Sequence, residues 1–152
     1  MKIPTKEDCL ILLNKNKTPS KVIKHSIVVC KLAESIAEKL IRKKIKLNKR
    51  LVIAAALLHD IGRAKENHVV KGAKLLKNMG FKEVSEVVKR HSLHKLQQKK
   101  KQPSTWEEKI VFYADKKVMG SKTVSLKKRY DALEKRYDVN LSKELSFTKK
   151  IE

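Results

Sequence analysis

The apolar run Leu51-Val52-Ile53-Ala54-Ala55-Ala56-Leu57-Leu58 ends, without a spacer, on His59-Asp60. A segment apolar on every side must be buried all round if it is to lie in a soluble fold. Asn48 offers a cap ahead of it and Gly62 a stop behind it, so the run is expected to form a buried central helix from Leu51 to about Ile61. It is far shorter than the ~20 residues that span a bilayer. A His-Asp pair at the end of such a segment lowers the energy of a core only when it is paired, hydrogen-bonded or bound to a metal.

The rest of the chain is organised around helices. It has only 4 Gly and 3 Pro in 152 residues, and its apolar residues recur at three- and four-residue steps. Thr5 with Asp8 reads as a capped start to a helix carrying Leu10, Ile11 and Leu13. Thr18-Pro19 opens a second helix whose face runs Val22, His25, Val29, Leu32, Ile36, Leu40. A fourth helix is expected from His68 to Met79, closed by Gly80, and a fifth from Lys82 to His94 with Val84, Val87, Val88 and His91 along one stripe. Ser104-Thr105-Trp106-Glu107-Glu108 is a capping-box start for a sixth, bearing Ile110, Val111, Ala114 and Val118. A Lys-Arg-Tyr-Asp repeat at heptad spacing puts Leu126, Tyr130, Leu133 and Tyr137 on one face of a seventh, and the tail from Asn140 is expected to add one more. The expectation is an all-α fold of about six to eight helices, a single domain over 1–152 with its core at about 20–120 and helices from 121–152 packed on it.

Charge bears on partners. Lys+Arg number 38 against 16 Asp+Glu, a formal net charge of +22. A field of that sign attracts polyanions, so nucleic acid, nucleotides or other phosphate compounds are the expected partners. At 41% hydrophobic the chain can still build a core, which excludes wholesale disorder. Only 5% is aromatic, too little for a base-stacking sheet. Cys9 and Cys30 lie within helical apolar patterns without CxxC spacing and read as small buried hydrophobes. The first residues show no apolar stretch with a small-residue cleavage site, and no membrane span is visible; the expected location is the cytoplasm.

His25 interrupts the apolar face of the second helix, His91 that of the fifth, and Asp115 lies one turn after Val111 on the sixth. Alone, each has an ordinary reading: a core histidine bonded to a carbonyl, or a surface carboxylate. Jointly, ligand-type residues fall on the inner faces of four helices, the way helical folds build core metal sites. Nitrogen and oxygen donors together suit first-row divalent ions. His25, then Leu57-Leu58-His59-Asp60-Ile61-Gly62-Arg63, then Asp115 within Tyr113-Ala114-Asp115-Lys116, resembles the HD-domain superfamily of metal-dependent phosphohydrolases, near its His-Asp-Ile-Gly subgroup, over about residues 20–120.

The resemblance implies that His25, His59, Asp60 and Asp115 ligate one divalent ion, whether Mn, Fe, Co, Ni, Zn or Mg. His68 and His91 match positions that hold a second ion in two-metal members. Ser92 stands where some of these carry another histidine, so a reduced set around a weaker second ion is expected. Metal-activated water would then attack phosphorus, oriented by Asp60. Arg63 is the first candidate to stabilise phosphoryl charge and Lys116 the second; Glu66 is the candidate proton donor to the leaving group. Lys95 and Lys99, in the basic stretch after His91, are expected to bind substrate with Arg63. Arg42-Lys43-Lys44 and Lys127-Lys128-Arg129 extend the basic surface. Trp106 and Tyr113 are expected in the core rather than stacked on a base.

The expected function is hydrolysis of a nucleotide or nucleic-acid phosphoester. Two alternatives stand beside it: an RNA-binding protein of the same fold with little catalysis, and a di-iron oxygenase, against which Ser92 counts.

Overall fold

The computed structural model describes residues 2–62, 68–91 and 102–151, with the backbone alone for His68. Within them the fold is all-α: α1 (Lys6–Lys15), α2 (Ser20–Arg42), α3 (Lys49–Leu58), α4 (His68–Asn78), α5 (Lys82–Lys89), α6 (Trp106–Lys116), a hairpin of β1 (Val118–Met119) and β2 (Lys122–Thr123), α7 (Leu126–Tyr137) and α8 (Ser142–Ile151). No helix among the described residues is long and apolar enough to cross a membrane.

The apolar run forms α3, capped by the Asn48 side chain, which accepts from Leu51 N. Leu51, Val52 and Ala54 through Leu58 are buried, and α3 packs against α1, α2, α5 and α6. Truncating a side chain as enclosed as Leu58 costs about 2–5 kcal/mol. The amphipathic α2 runs its 23 residues, about 35 Å, along α3 and buries Ser26, Val29, Cys30, Ala33 and Ala37.

Helix ends place the polar residues. α3 stops at Leu58 rather than Ile61: His59 is its C-cap with helical dihedrals, and Ile61 N–H then bonds the Leu58 carbonyl, a tightened last turn that carries Asp60 off the helix. Asn16 holds this turn, its Nδ2 donating to the Ile61 carbonyl at 2.7 Å. From the other side α4 presses on it at Gly72, where a Cβ would lie 3.2 Å from Gly62 N and 3.3 Å from Ile61 Cγ2. Gly80, at φ +89°, closes α4 as expected. α5 ends at Lys89, where the Arg90 and His91 N–H groups turn back onto Val87 and Val88; the last residues of the span expected to His94 lie outside the described residues.

Both capping boxes form, Thr5 with Asp8 and Thr105 with Glu108. α6 ends at Lys116, and Val118 lies in β1 instead of extending the helix. There it pairs with Thr123 across a turn at Gly120, whose φ is +62°. Leu126, Tyr130 and Leu133 of α7 are buried, but Tyr137 is 55% exposed, since the helix ends there in a left-handed Asp138. Trp106 is not a core residue either. It is 45% exposed at the first turn of α6, with Lys109 Nζ 5.6 Å from its ring; Tyr113 is half-buried. Ile11 also faces outward. The tail helix α8 docks through a Tyr130–Thr148 hydrogen bond and a Phe112–Phe147 edge contact. Cys9 and Cys30 are free and buried.

Candidate metal centre

His25 projects from the second turn of α2, His59 caps α3, Asp60 follows it, His91 follows α5, and Asp115 ends α6. Asp115 Oδ1 lies 3.0 Å from His25 Nε2 and 3.2 Å from His59 Nε2. Asp60 Oδ2 lies 3.3 Å from His59 Nε2 and 3.9 Å from His25 Nε2, while its Oδ1 lies 3.5 Å from His91 Nε2. The imidazole centroids of His59 and His25 are 5.4 Å apart and those of His59 and His91 4.9 Å. Four of the five side chains are buried and His25 is nearly so.

One device orients all three rings. Each histidine donates Nδ1–H to a main-chain carbonyl: His25 to Gly120 at 2.7 Å, His59 to Ala56 at 2.6 Å, and His91 to Val88 at 2.6 Å. A carbonyl can only accept, so Nδ1 carries the proton and Nε2 of the neutral ring turns a lone pair toward the carboxylates. Lone pair facing carboxylate is repulsive unless a positive centre lies between them. His59 Nε2 is fully buried and, among the described residues, makes no hydrogen bond of acceptable geometry, and such an atom calls for a partner.

A divalent ion fits this donor set. Donors ~2.1 Å from a common ion are separated by about 3.0 Å at a right angle and about 3.4 Å at a tetrahedral one. The closest separations here fall in that range. Among the described residues, two groups of three donors meet the spacing for a shared ion, His25–His59–Asp115 and His59–Asp60–His91. Three helices, α3, α5 and α6, also end their C-termini here, and the partial negative charge of those ends favours a cation.

Charge is strongly coupled within the cluster. Burial opposes protonation of His59, yet the Asp60 and then the Asp115 carboxylates outweigh it and push the imidazole up to about 10. Burial likewise opposes ionisation of Asp115, but Lys116 foremost, then His59 and His25, hold the carboxyl well below the usual carboxylate range. Asp60 is held down against its burial by His59 and His91. The negative charge that attracts a proton to His59 is the charge that would hold a metal ion.

The remaining sequence candidates fare differently. Lys116 is buried, its ammonium engaged by Asp115 Oδ2 at 2.7 Å and by the His91 carbonyl at 2.9 Å. Arg63, Glu66, Lys95 and Lys99 lie outside the described residues, as does the side chain of His68. Arg42, Lys43, Lys44, Lys127 and Lys128 are exposed, and Arg129 is half-buried. Sequence reasoning missed the three carbonyls that set the tautomers. Two lie three residues before their histidine on the same helix end, a spacing that could have suggested them; Gly120, remote from His25, carried no such signal.

The family model of the HD domain matches residues 22–120. A tRNA (cytidine(56)-2'-O)-methyltransferase of Picrophilus torridus is 34% identical over 146 residues, covering 87% of this chain and 41% of that protein. The enzyme of the same name from Thermoplasma volcanium is 34% identical over 148 residues, covering 88% of the chain and 42% of the enzyme. An uncharacterized protein of Methanocaldococcus jannaschii is 33% identical over 140 residues, covering 83% of each. The chain thus spans about two fifths of the methyltransferases it matches. No solved structure gives a significant match. With the family match over the stretch that carries His25, His59-Asp60 and Asp115, the chain belongs to the HD-domain superfamily of metal-dependent phosphohydrolases.

Proposed function

We propose that this protein hydrolyses a phosphoester of RNA or of a nucleotide at a divalent metal ion held by His25, His59, Asp60 and Asp115. The observation that carries the reading is the buried His59 Nε2, which lies between two carboxylates and makes no hydrogen bond of acceptable geometry among the described residues. His59 has only this nitrogen to offer, because Nδ1 is committed to Ala56. The two donor groups that share it therefore describe one centre rather than two. For a second ion, those groups leave His91 and the second oxygen of Asp60 among the described residues; the side chain of His68 lies outside them, and our assignment is of the first ion, with His91 beside it.

When bound, a divalent ion supplies an acidified water and a polarised phosphoryl oxygen. The chain's own residues do the rest. The three imidazoles stay in one tautomer, Asp60 sets the direction of approach, and burial keeps bulk water from competing with the ordered donors. Arg63, three residues past Asp60 in sequence, is assigned the stabilisation of phosphoryl charge, and Glu66 the proton to the leaving group. Lys95 and Lys99 are assigned to substrate binding.

RNA as the substrate class draws on two observations. The formal charge is +22, and two relatives bear the name of tRNA-modifying enzymes. Methyl transfer is not carried over, since more than half of each of those relatives lies outside the match. The charge also favours a second reading, an RNA-binding protein that retains the fold with little turnover.

Metal analysis of the purified protein, with phosphate release measured over p-nitrophenyl phosphate, its bis ester, nucleotides and short RNAs, tests the assignment. Metal-dependent turnover lost in Asp60→Ala supports it. RNA binding that weakens with salt, survives Asp60→Ala and comes with no turnover of any ester favours the second reading.

A further inference from the structure

The ammonium of Lys116 is a buried cation within the cluster and is not a metal ligand. It donates to Asp115 Oδ2 at 2.7 Å and to the His91 carbonyl at 2.9 Å, and it lies 4.8 Å from the Phe112 ring centroid. Only 4% of the residue is exposed. The other oxygen of the same carboxylate, Oδ1, faces His25 and His59 at 3.0 and 3.2 Å. The two oxygens of Asp115 are thus divided, one toward the imidazole nitrogens and one toward Lys116.

We propose that Lys116 is a positioning residue that restricts Asp115 to one-oxygen donation and ties the end of α5, which presents His91, to the end of α6, which presents Asp115. The inference rests on the metal-centre reading above and concerns how that centre chooses its ion. A carboxylate free to offer both oxygens accommodates larger ions with longer bonds, whereas one restricted to a single oxygen suits the shorter bonds and lower coordination number of zinc-sized ions. Lys116 therefore sets a size preference. Its formal charge works in a separate way, lowering the affinity for every divalent cation alike. Comparing two ions of equal charge cancels that contribution and isolates the geometry.

The test compares Zn2+ with Cd2+, closed-shell ions of one charge and different radius, by chelator competition on the wild type and on Lys116→Met. Circular dichroism and thermal melting verify that the variant is folded. The expected result is a shift of the Zn2+/Cd2+ affinity ratio toward Cd2+ by about tenfold, the lower end of what an outer-shell partner is worth. Lys116→Arg, which keeps a donor on Oδ2, restores most of the preference. A folded Lys116→Met with an unchanged ratio overturns the inference while leaving the metal centre standing. A wild type that binds neither ion overturns both.

Because Lys116→Met strands Asp115 Oδ2 and the His91 carbonyl, it risks misfolding, and a measurement on the wild type serves as well. In the 15N-lysine-labelled protein, one ammonium resonance, absent from Lys116→Arg, should be protected from solvent exchange both metal-free and Zn2+-loaded. Loss of that protection on loading means Lys116 leaves Asp115 when the ion binds, and overturns the proposal.

Discussion

His25 Nε2 and Asp115 Oδ1, ninety residues apart in the chain, lie 3.0 Å from each other, with the His25 proton directed away to the Gly120 carbonyl at 2.7 Å. A neutral ring in that tautomer cannot donate to the carboxylate. The pair is therefore at rest only when a positive centre, a proton or a metal ion, lies within reach of both. Much of the chemistry assigned to this protein follows from that relationship and its repetition at His59 and His91.

Asp115→Asn should remove one negative charge from the centre at almost constant volume. Phosphoester turnover should fall at least about 10²-fold, the scale of losing one electrostatic stabiliser in a water-excluded site, and bound metal per chain should drop in parallel. Metal analysis beside a steady-state assay checks both; full metal content with full activity would remove Asp115 from the site.

The proton on His59 competes with the ion. With its pKa pushed up to about 10, the ring is protonated across the neutral range in metal-free protein, and metal binding releases that proton. Apparent metal affinity should therefore climb by about tenfold per pH unit below that value, read by titration calorimetry in buffers of different ionisation enthalpy. The folded pKa lies above the ordinary imidazole value of 6.5, so the stability that this group contributes is fully present below about 6.5 and is lost as pH rises toward 10. Asp60 and Asp115, held below 3.8, contribute above 3.8 and lose their contribution as pH falls below it. Metal-free protein should accordingly melt at lower temperature at pH 9 than at pH 6.5.

Gly72→Ala sets helix propensity against space. In the interior of α4 alanine should gain about 1 kcal/mol. Its Cβ, however, would lie 3.2 Å from Gly62 N and 3.3 Å from Ile61 Cγ2, and the first of these is backbone of the turn that carries Asp60. Because that turn is also held by Asn16, it has little room to yield. The expected outcome is a lower melting temperature together with weaker metal binding; a stabilised variant would mean the turn gives way.

Burial, with Asp8 and the neighbouring thiol adding to it, raises Cys9 to about 12; burial also raises Cys30, to about 11, with Lys6 partly offsetting it. Neither is appreciably thiolate at pH 8, and the thiolate is the reactive form. A disulfide-exchange reagent should leave both unmodified in the native protein and titrate two thiols in guanidinium chloride. Rapid native reaction of either would show that α1 separates from α2 and α3 far more often than this packing implies.

The local elements were legible because their signals are local. Thr5 with Asp8, Asn48, Gly80, and Thr105 with Glu108 each act within a turn or two of their own position, and all four act as expected. At helix ends, where local signals compete, remote packing decides the outcome. The pattern through Val118 continues the apolar face of α6, but the Gly120 turn takes Val118 into a hairpin. Trp106 reads as a core residue by type, yet the first turn of α6 faces outward.

The sequence by itself determined the donor inventory and the helices that carry it, since periodicity, caps and residue chemistry need no knowledge of remote contacts. It also determined that His59 and Asp60 would sit at the end of the most buried helix. Only the tertiary structure decided which atoms face one another: that His25 takes its tautomer from a carbonyl 95 residues away, that Asp60 turns its two oxygens to different histidines, and that Lys116 occupies one oxygen of Asp115. The physical reason is that these relations depend on how helix ends are packed against each other, and a shift of one ångström there would undo a hydrogen bond without changing the hydrophobic pattern of any helix.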